Sequence, residues 1–316
     1  MKVYRSLDEF SPLPNAVATQ GTFDGVHIGH QKILERLGNI AQQKNGETVL
    51  LTFFPHPRMV LQPDDNNLRL LHTIEEKIEH LEKTGIDHLL IIPFTKQFSR
   101  QTSLQFVRDV LVNKVGVKTL VIGYDHRFGK NREGNMDDLR KFGSTYKFEV
   151  EEISAQDIDD ITVSSTKIRN ALIHGDVDTA KRYLGYNYPV SGKVVEGNNL
   201  GKKIGFPTAN ILVEKPFKLI PGDGVYAVKV CVEDEIFGGM ANIGNQPTFD
   251  NRNHAFEVNI FGFDKDIYDK DIKIEFVSRI RSEMKFDGVD SLIAQLNKDK
   301  STALNSINED KNGNLV

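Results

Sequence analysis

The chain has 316 residues, 39% hydrophobic and 27% charged, with a formal net charge of −4. That length suggests two domains, each able to bury its own core, and the slightly acidic balance gives no general attraction to nucleic acid. One cysteine, Cys231, excludes an intrachain disulfide and a cysteine-rich zinc site; with no signal-peptide core and no apolar run of membrane-spanning length, a cytoplasmic chain without membrane or nucleic-acid partners is expected.

Up to about residue 185, apolar strands alternate with amphipathic helices. The period predicts a strand over Ala16–Gln20 and a helix over HQKILERLGNIAQQ, where Ile33, Leu34, Leu37, Ile40 and Ala41 recur at helical spacing. There follow the strand ETVLLTFF, the helix IEEKIEHLEKTG closed by Gly85, the strand DHLLIIPF, the helix LQFVRDVLVNKVG closed by Gly116, and the strand KTLVIGY. Near-continuously apolar strands between helices predict a parallel sheet covered on both faces.

Beyond a short linker around RYLGYNYP the rhythm changes. PVSGKVVEG, GVYAVKVCVEDEIFGG, HAFEVNIFGF and DIKIEFV alternate with period two; Val228, Val230 and Val232 point one way, Lys229, Cys231 and Glu233 the other. Turn clusters (GNNLG, PGDG, GNQPTFDNRN) separate them, predicting a small antiparallel barrel or sandwich. A last helix, VDSLIAQLNKD, should pack against it, and the polar tail SINEDKNGNLV should fray. This divides the chain into domains 1–185 and 186–316.

The densest cluster of chemistry is GTFDGVHIGH, at residues 21–30, between the first long strand and its helix. In a parallel sheet ligands bind there, beyond the carboxyl ends of the strands. Glycines admit a bulky ligand, the helix N-terminus favours phosphate, and imidazoles can donate to phosphate oxygens as charge develops. A second cluster, Ser164-Ser165-Thr166-Lys167-Ile168-Arg169, leads into the helix candidate KIRNALIHG. Its hydroxyls read by themselves as helix caps, and with Lys167 and Arg169 as a polyphosphate clamp.

The His27-Ile28-Gly29-His30 signature, with the serine–threonine segment and no KMSKS-like loop, resembles the nucleotidylyltransferase superfamily, which transfers a nucleotidyl group by in-line attack at an α-phosphate. GTFDGVHIGH, FFPHPR and IGYDHRFGKNREGN together are similar to the adenylyltransferase half of prokaryotic bifunctional riboflavin kinase/FAD synthetases, over residues 15–183. The resemblance implies a Rossmann-like α/β domain. It makes His27 and His30 catalytic, and places Gly21, Phe23, Asp24, Gly29, Ser164, Ser165, Thr166 and Arg169 on ATP. It also implies a flavin site lined by Phe54, His56, Pro57, Asp125 and Phe128; Phe54 and Phe128 read equally well as isoalloxazine neighbours or as core. His126 stands where the family more often has an aromatic residue.

In the second half, Gly201-Lys202-Lys203-Ile204-Gly205-Phe206-Pro207-Thr208-Ala209-Asn210 resembles the GRxLGFPTAN signature of riboflavin kinases, the resemblance running from residue 187 to about 303. It is not a Walker A loop, but Gly201, Lys202 and Gly205 suit a phosphate-gripping loop. Thr208 and Asn210, two apart on an extended segment, offer neutral oxygens to Mg²⁺; the plain alternative is a threonine and an asparagine at a strand start. Glu257, on the strand face opposite Phe256, Val258 and Ile260, matches the family's glutamate and would accept the proton of the ribityl hydroxyl. Arg281, in SRIRSEMKF, is expected beside the flavin. Asn259 stands where the family usually has histidine, and Asp269 where a glycine usually follows the tyrosine.

The resemblance thus implies a parallel-sheet domain followed by a small antiparallel β-barrel with a C-terminal helix. Its activities would be riboflavin phosphorylation to FMN and FMN adenylylation to FAD, with Mg²⁺, ATP as co-substrate, and riboflavin, FMN and FAD as substrates or products. Two readings compete: a nucleotidylyltransferase for another phosphate, which leaves the GFPTAN-type half without a role, and a non-enzymatic flavin or nucleotide sensor that kept the fold but lost the chemistry.

Overall fold

The computed structural model describes residues 1–65, 68–123, 127–153, 163–197, 200–244 and 255–313. The chain divides into two compact units, Met1–Leu68 with His72–Ser164, and Arg69–Leu71 with Ser165–Val316.

The first unit is built on six strands: β1 (Lys2–Tyr4), β2 (Ala16–Gln20), β3 (Glu47–Phe54), β4 (His88–Pro93), β5 (Val117–Gly123) and β6 (Glu149–Ile153). They pair in parallel in the order β1-β4-β3-β2-β5-β6. The helices are α1 (Ile28–Gln43), α2 (Pro57–Leu61), α3 (Ile74–Glu82), α4 (Ser103–Gln105), which runs into a π-helical stretch (Phe106–Val115), and α5 (Met136–Tyr146). Period two splits the strands between two cores. Ala16, Ala18, Val49, Leu51, Leu90 and Ile92 pack with Phe106, Val107, Val110 and Leu111 of the π-helical stretch. Val17, Leu50, Leu89 and Ile91 pack with Leu34, Leu37 and Ile40 of α1 and Leu81 of α3. The sheet is therefore covered on both faces, as its apolar strands require.

Local sequence sets the ends. Thr73 and Glu76 form a capping box on α3, and Gly116 closes the π-helical stretch at φ 75°. Four elements of this unit lie outside the sequence expectation, the short α2 among them. β1 is a three-residue edge strand, β6 buries only Ile153, and α5 starts at an Asn135/Asp138 capping box.

The second unit opens with α6 (Ser165–Ile173) and α7 (Val177–Leu184). Strands β7 (Tyr188–Val195), β8 (Ala209–Leu212), β9 (Gly224–Val232), β10 (Glu235–Gly244), β11 (Ala255–Ile260) and β12 (Asp271–Arg281) close into an antiparallel barrel in the order β10-β11-β8-β7-β12-β9. Helix α8 (Leu200–Lys203) lies between β7 and β8, and α9 (Val289–Gly313) follows the barrel. Closure pairs both edges of every strand.

Three expectations are corrected here. RYLGYNYP is not a linker: Arg182–Leu184 is the last turn of α7, Gly185 caps it at φ 82°, and Tyr188 begins β7. GVYAVKVCVEDEIFGG is a hairpin, turning at Glu233 (φ 55°) between β9 and β10. The tail does not fray at Ser306, because α9 continues to Gly313, with Ile307 and Asp310 only 4% and 7% exposed.

Candidate active sites

Strand β2 lies between β3, on the side the chain fills first, and β5, on the side it fills later. The loop after β2 is therefore at the sheet's topological switch point, where the strands leave a crevice. It holds Phe23, Gly25 and Val26 at φ 44°, 88° and 35°. Such a run of left-handed residues stores strain that the surroundings must hold. Gly21 has no room for a side chain: a Cβ would lie 2.8 Å from the Phe23 ring. Asp24, 2% exposed, accepts a hydrogen bond from the His72 amide at 3.2 Å.

His27 is the N-cap of α1, and its Nδ1 accepts from the His30 amide at 3.3 Å. In neutral His27 the proton therefore lies on Nε2. The two imidazoles stack with centroids 3.6 Å apart and 14° between planes, and Phe23 lies 4.7 Å from the His30 ring. Gly29 is buried in the first turn of α1. Burial, then the neighbouring His27 and Lys77, hold His30 well below the usual histidine range. Its Nδ1 is buried and has no hydrogen-bond partner among the described residues.

Lys77 was not anticipated. It is 6% exposed on α3 and donates from Nζ to the Thr22 carbonyl at 2.7 Å. Burial depresses its pKa, and Asp24 opposes that shift. The signal available in the sequence was a lysine on the apolar stripe that runs through Ile74 and Leu81.

The proposed flavin residues separate. Phe54 packs on the core containing Phe23 and Val26, whereas Phe128 is 6% exposed in the opposite core, against Phe106. His56 caps α2, accepting from the Arg58 amide at 3.2 Å, and Pro57 is its first residue. Asp125 and His126 lie outside the described residues. An unanticipated, partly open aromatic cluster forms beside β3 and β4, with Phe53, Phe94 and Phe98 at 5.7–5.9 Å. Ser164 ends the first unit; Ser165 opens α6, with Thr166 and Arg169 three apart on it, one turn along the helix.

In the barrel, Thr208 precedes β8 and Asn210 lies within it, opposite Glu257 of β11. The Thr208 hydroxyl donates to Glu257 Oε2 at 3.4 Å. Three oxygen-bearing side chains thus share one patch, a donor set that fits Mg²⁺ with water and phosphate completing its shell. No group of three His, Cys, Asp or Glu residues among the described residues forms a metal cluster. Asn259, 7% exposed, donates to the Pro207 carbonyl at 2.6 Å and pins the residue before Thr208. Gly201 is in α8 where a Cβ would meet the Phe206 carbonyl at 2.2 Å, and Gly205 turns at φ 84°.

A cavity of about 420 Å³ adjoins this patch, lined by Lys202, Thr208, Val194, Ile260, Phe263 and Tyr268 among others. Asp269, beyond it, takes φ 61°, the left-handed conformation a glycine would adopt, and its amide donates to Val194 O at 2.9 Å. Arg281 is bound to Asp299 of α9, Nε–Oδ2 2.9 Å and Nη2–Oδ2 2.8 Å, and lies 5.7 Å from the Phe286 ring.

Two family models match the chain, one described as FAD synthetase over residues 10–167 and one as riboflavin kinase over residues 184–307. A Listeria monocytogenes protein named bifunctional riboflavin kinase/FMN adenylyltransferase is 42% identical over 294 residues, spanning 93% of this chain and 92% of its own. An Escherichia coli protein of the same name is 35% identical over 306 residues, 96% and 97% of the two chains. A solved Streptococcus pneumoniae structure titled macrolide-efflux protein matches with a TM-score of 0.87 at 32% identity, covering 96% of this chain and 98% of that one. Efflux is said there of that protein; no helix among the described residues here is long and apolar enough to cross a membrane.

Proposed function

Because the chain belongs to the bifunctional riboflavin kinase/FMN adenylyltransferase family, we propose that it makes FMN from riboflavin in its barrel unit and FAD from FMN in its parallel-sheet unit, in the cytoplasm. The observation that carries this is a pair of separate polar clusters, the stacked histidines at the start of α1 in the first unit and the Thr208–Glu257–Asn210 patch in the second.

In the barrel, Glu257 takes the proton of the riboflavin 5′-hydroxyl as its oxygen attacks the γ-phosphorus of ATP; the bond to the β-phosphate oxygen breaks and ADP leaves. Thr208 and Asn210 would hold Mg²⁺, which would neutralise phosphate charge when bound. Lys202 serves the phosphates, and the adenine enters the cavity between Val194, Ile260 and Phe263. Arg281, engaged with Asp299, orders the segment beside the flavin rather than reaching into open space.

In the sheet unit, a phosphate oxygen of FMN attacks the α-phosphorus of ATP and pyrophosphate leaves. His27 and His30, with the amides of the first turn of α1, donate to phosphate oxygens as charge builds. Ser164 serves the polyphosphate, while Phe54, His56, Pro57 and Asp125 serve the flavin side, joined by Phe94 and Phe98.

Incubation with riboflavin, ATP and Mg²⁺ followed by separation of the flavins tests the assignment. FMN accumulates and then converts to FAD. Recovery of unchanged riboflavin refutes the kinase assignment, and FMN that never becomes FAD refutes the adenylyltransferase one.

A further inference from the structure

Among the buried charged groups, Lys77 reaches from a helix to the loop that carries the histidine pair. Its ammonium is removed from water and bonded to the carbonyl of Thr22, inside the loop that runs from Gly21 into the histidine pair. A buried cation costs free energy unless it is paired and hydrogen-bonded, so its placement needs a reason. Thr22 precedes the left-handed residues Phe23, Gly25 and Val26, and a tethered carbonyl there limits how the turn can relax.

We propose that Lys77 is a positioning residue for adenylyl transfer, tying down the Thr22 carbonyl in the loop that leads into the histidine pair. The proposal rests on the reading that His27 and His30 meet the phosphates. The groups around His30 are His27 on its own helix, Lys77 from α3, and Asp24, which couples to Lys77 from the loop. His72, whose amide donates to Asp24, stacks on His80 of α3 at 4.7 Å. Lys77 and His27 both disfavour a proton on His30, in the same direction as burial. With burial the largest cause and Lys77 adding to it, His30 favours the neutral imidazole, which can both accept and donate.

The test is an NMR titration of the His30 ring in the full chain, with FMN adenylylation and riboflavin phosphorylation measured on the same preparations. In Lys77→Met the His30 titration moves to higher pH by roughly a unit, the scale on which a near charge acts. FAD formation from FMN falls about 10–100-fold, a loss typical of misplaced catalytic groups, while FMN formation is unchanged. Lys77→Arg restores most of both. A Lys77→Met chain that loses FAD formation with the His30 titration unmoved has only lost structure, and overturns the proposal. Unchanged FAD formation overturns it too. Should Lys77→Met not fold, Lys77→Gln is read by the same two measurements, and unchanged FAD formation or an unmoved His30 titration in it overturns the proposal. If His30→Asn leaves FAD formation intact, the reading of the histidines fails, and the His30 titration still judges Lys77 separately.

Discussion

His30→Ala removes one of the stacked imidazoles at the N-terminus of α1, in the unit that does not contain Glu257. FAD formation is expected to fall on the order of 10²–10³-fold, the cost of one lost transition-state donor, while riboflavin phosphorylation continues. Equal loss of both activities in a folded protein would contradict two independent sites. The mirror experiment is Glu257→Gln. The residue faces away from Phe256, Val258 and Ile260, so the nearly isosteric change leaves the barrel core intact. Glutamine still accepts from Thr208, but phosphoryl transfer drops by roughly 10²–10⁴, the usual contribution of a positioned base. FAD synthesis from supplied FMN is untouched. Near-normal kinase turnover would remove Glu257 from the mechanism. Asp269 makes a different point: it occupies a left-handed position that aspartate tolerates better than most side chains, so the departure from glycine leaves the turn in place.

Among the elements, the last turns of α9 differ most from their sequence appearance. Asp310 receives hydrogen bonds from Lys181 of α7, from Lys229 of β9 and from Asn187 at 2.9 Å. Burial by itself would raise its carboxyl, but these partners outweigh that and lower the pKa to about 2. A depressed carboxylate stabilises the fold above its unfolded pKa, and that contribution is lost as pH falls through the folded value. Asp310→Asn should therefore cost about 2 kcal/mol near neutrality, the scale of hydrogen bonds to a charged group. The gap to wild type should narrow as pH falls from about 4 toward 2. Urea unfolding of both proteins at pH 7 and in acid checks this, and a gap independent of pH would refute the contribution of the Asp310 charge.

The same element shows how far the sequence could be read. Strands such as ETVLLTFF and the Val228–Val232 alternation were legible because period and burial coincide. Asp310 in the tail was not, because its charge is satisfied by residues distant in sequence rather than by a local stripe. Nor was β6, whose EVEEI pattern lacks an apolar run. At the sites, the glycine-histidine loop and the Thr208–Asn210–Glu257 set were visible from spacing, whereas Lys77 depended on which face of α3 meets the loop.

For the whole molecule the open question is where one half ends. The sequence rhythm changes near residue 185, while compactness groups α6 and α7 with the barrel, starting at Ser165. Helix α7 packs on β7 and β12, and Val177, Ala180 and Leu184 are fully buried. The Gly222 amide donates to Leu172 O of α6 at 2.8 Å, and Lys181 reaches Asp310. A fragment of residues 187–316 loses all of these; one of residues 165–316 keeps them. Both lack Leu71, whose carbonyl accepts from the buried Lys218 Nζ at 2.7 Å, so neither should match the full chain in stability. Lys218 keeps the Pro189 carbonyl, also at 2.7 Å, which leaves its ammonium with a partner in either fragment. The longer fragment is expected to fold, to phosphorylate riboflavin and to make no FAD. The shorter one, with the α7 contact surface exposed to water, is expected to melt roughly 10 °C lower or more, as a loss of a few kcal/mol implies for a domain of this size. Thermal unfolding and flavin analysis on the pair measure both outcomes. Equal melting temperatures would show that α6 and α7 belong energetically to the sheet unit, and that the boundary lies near residue 185.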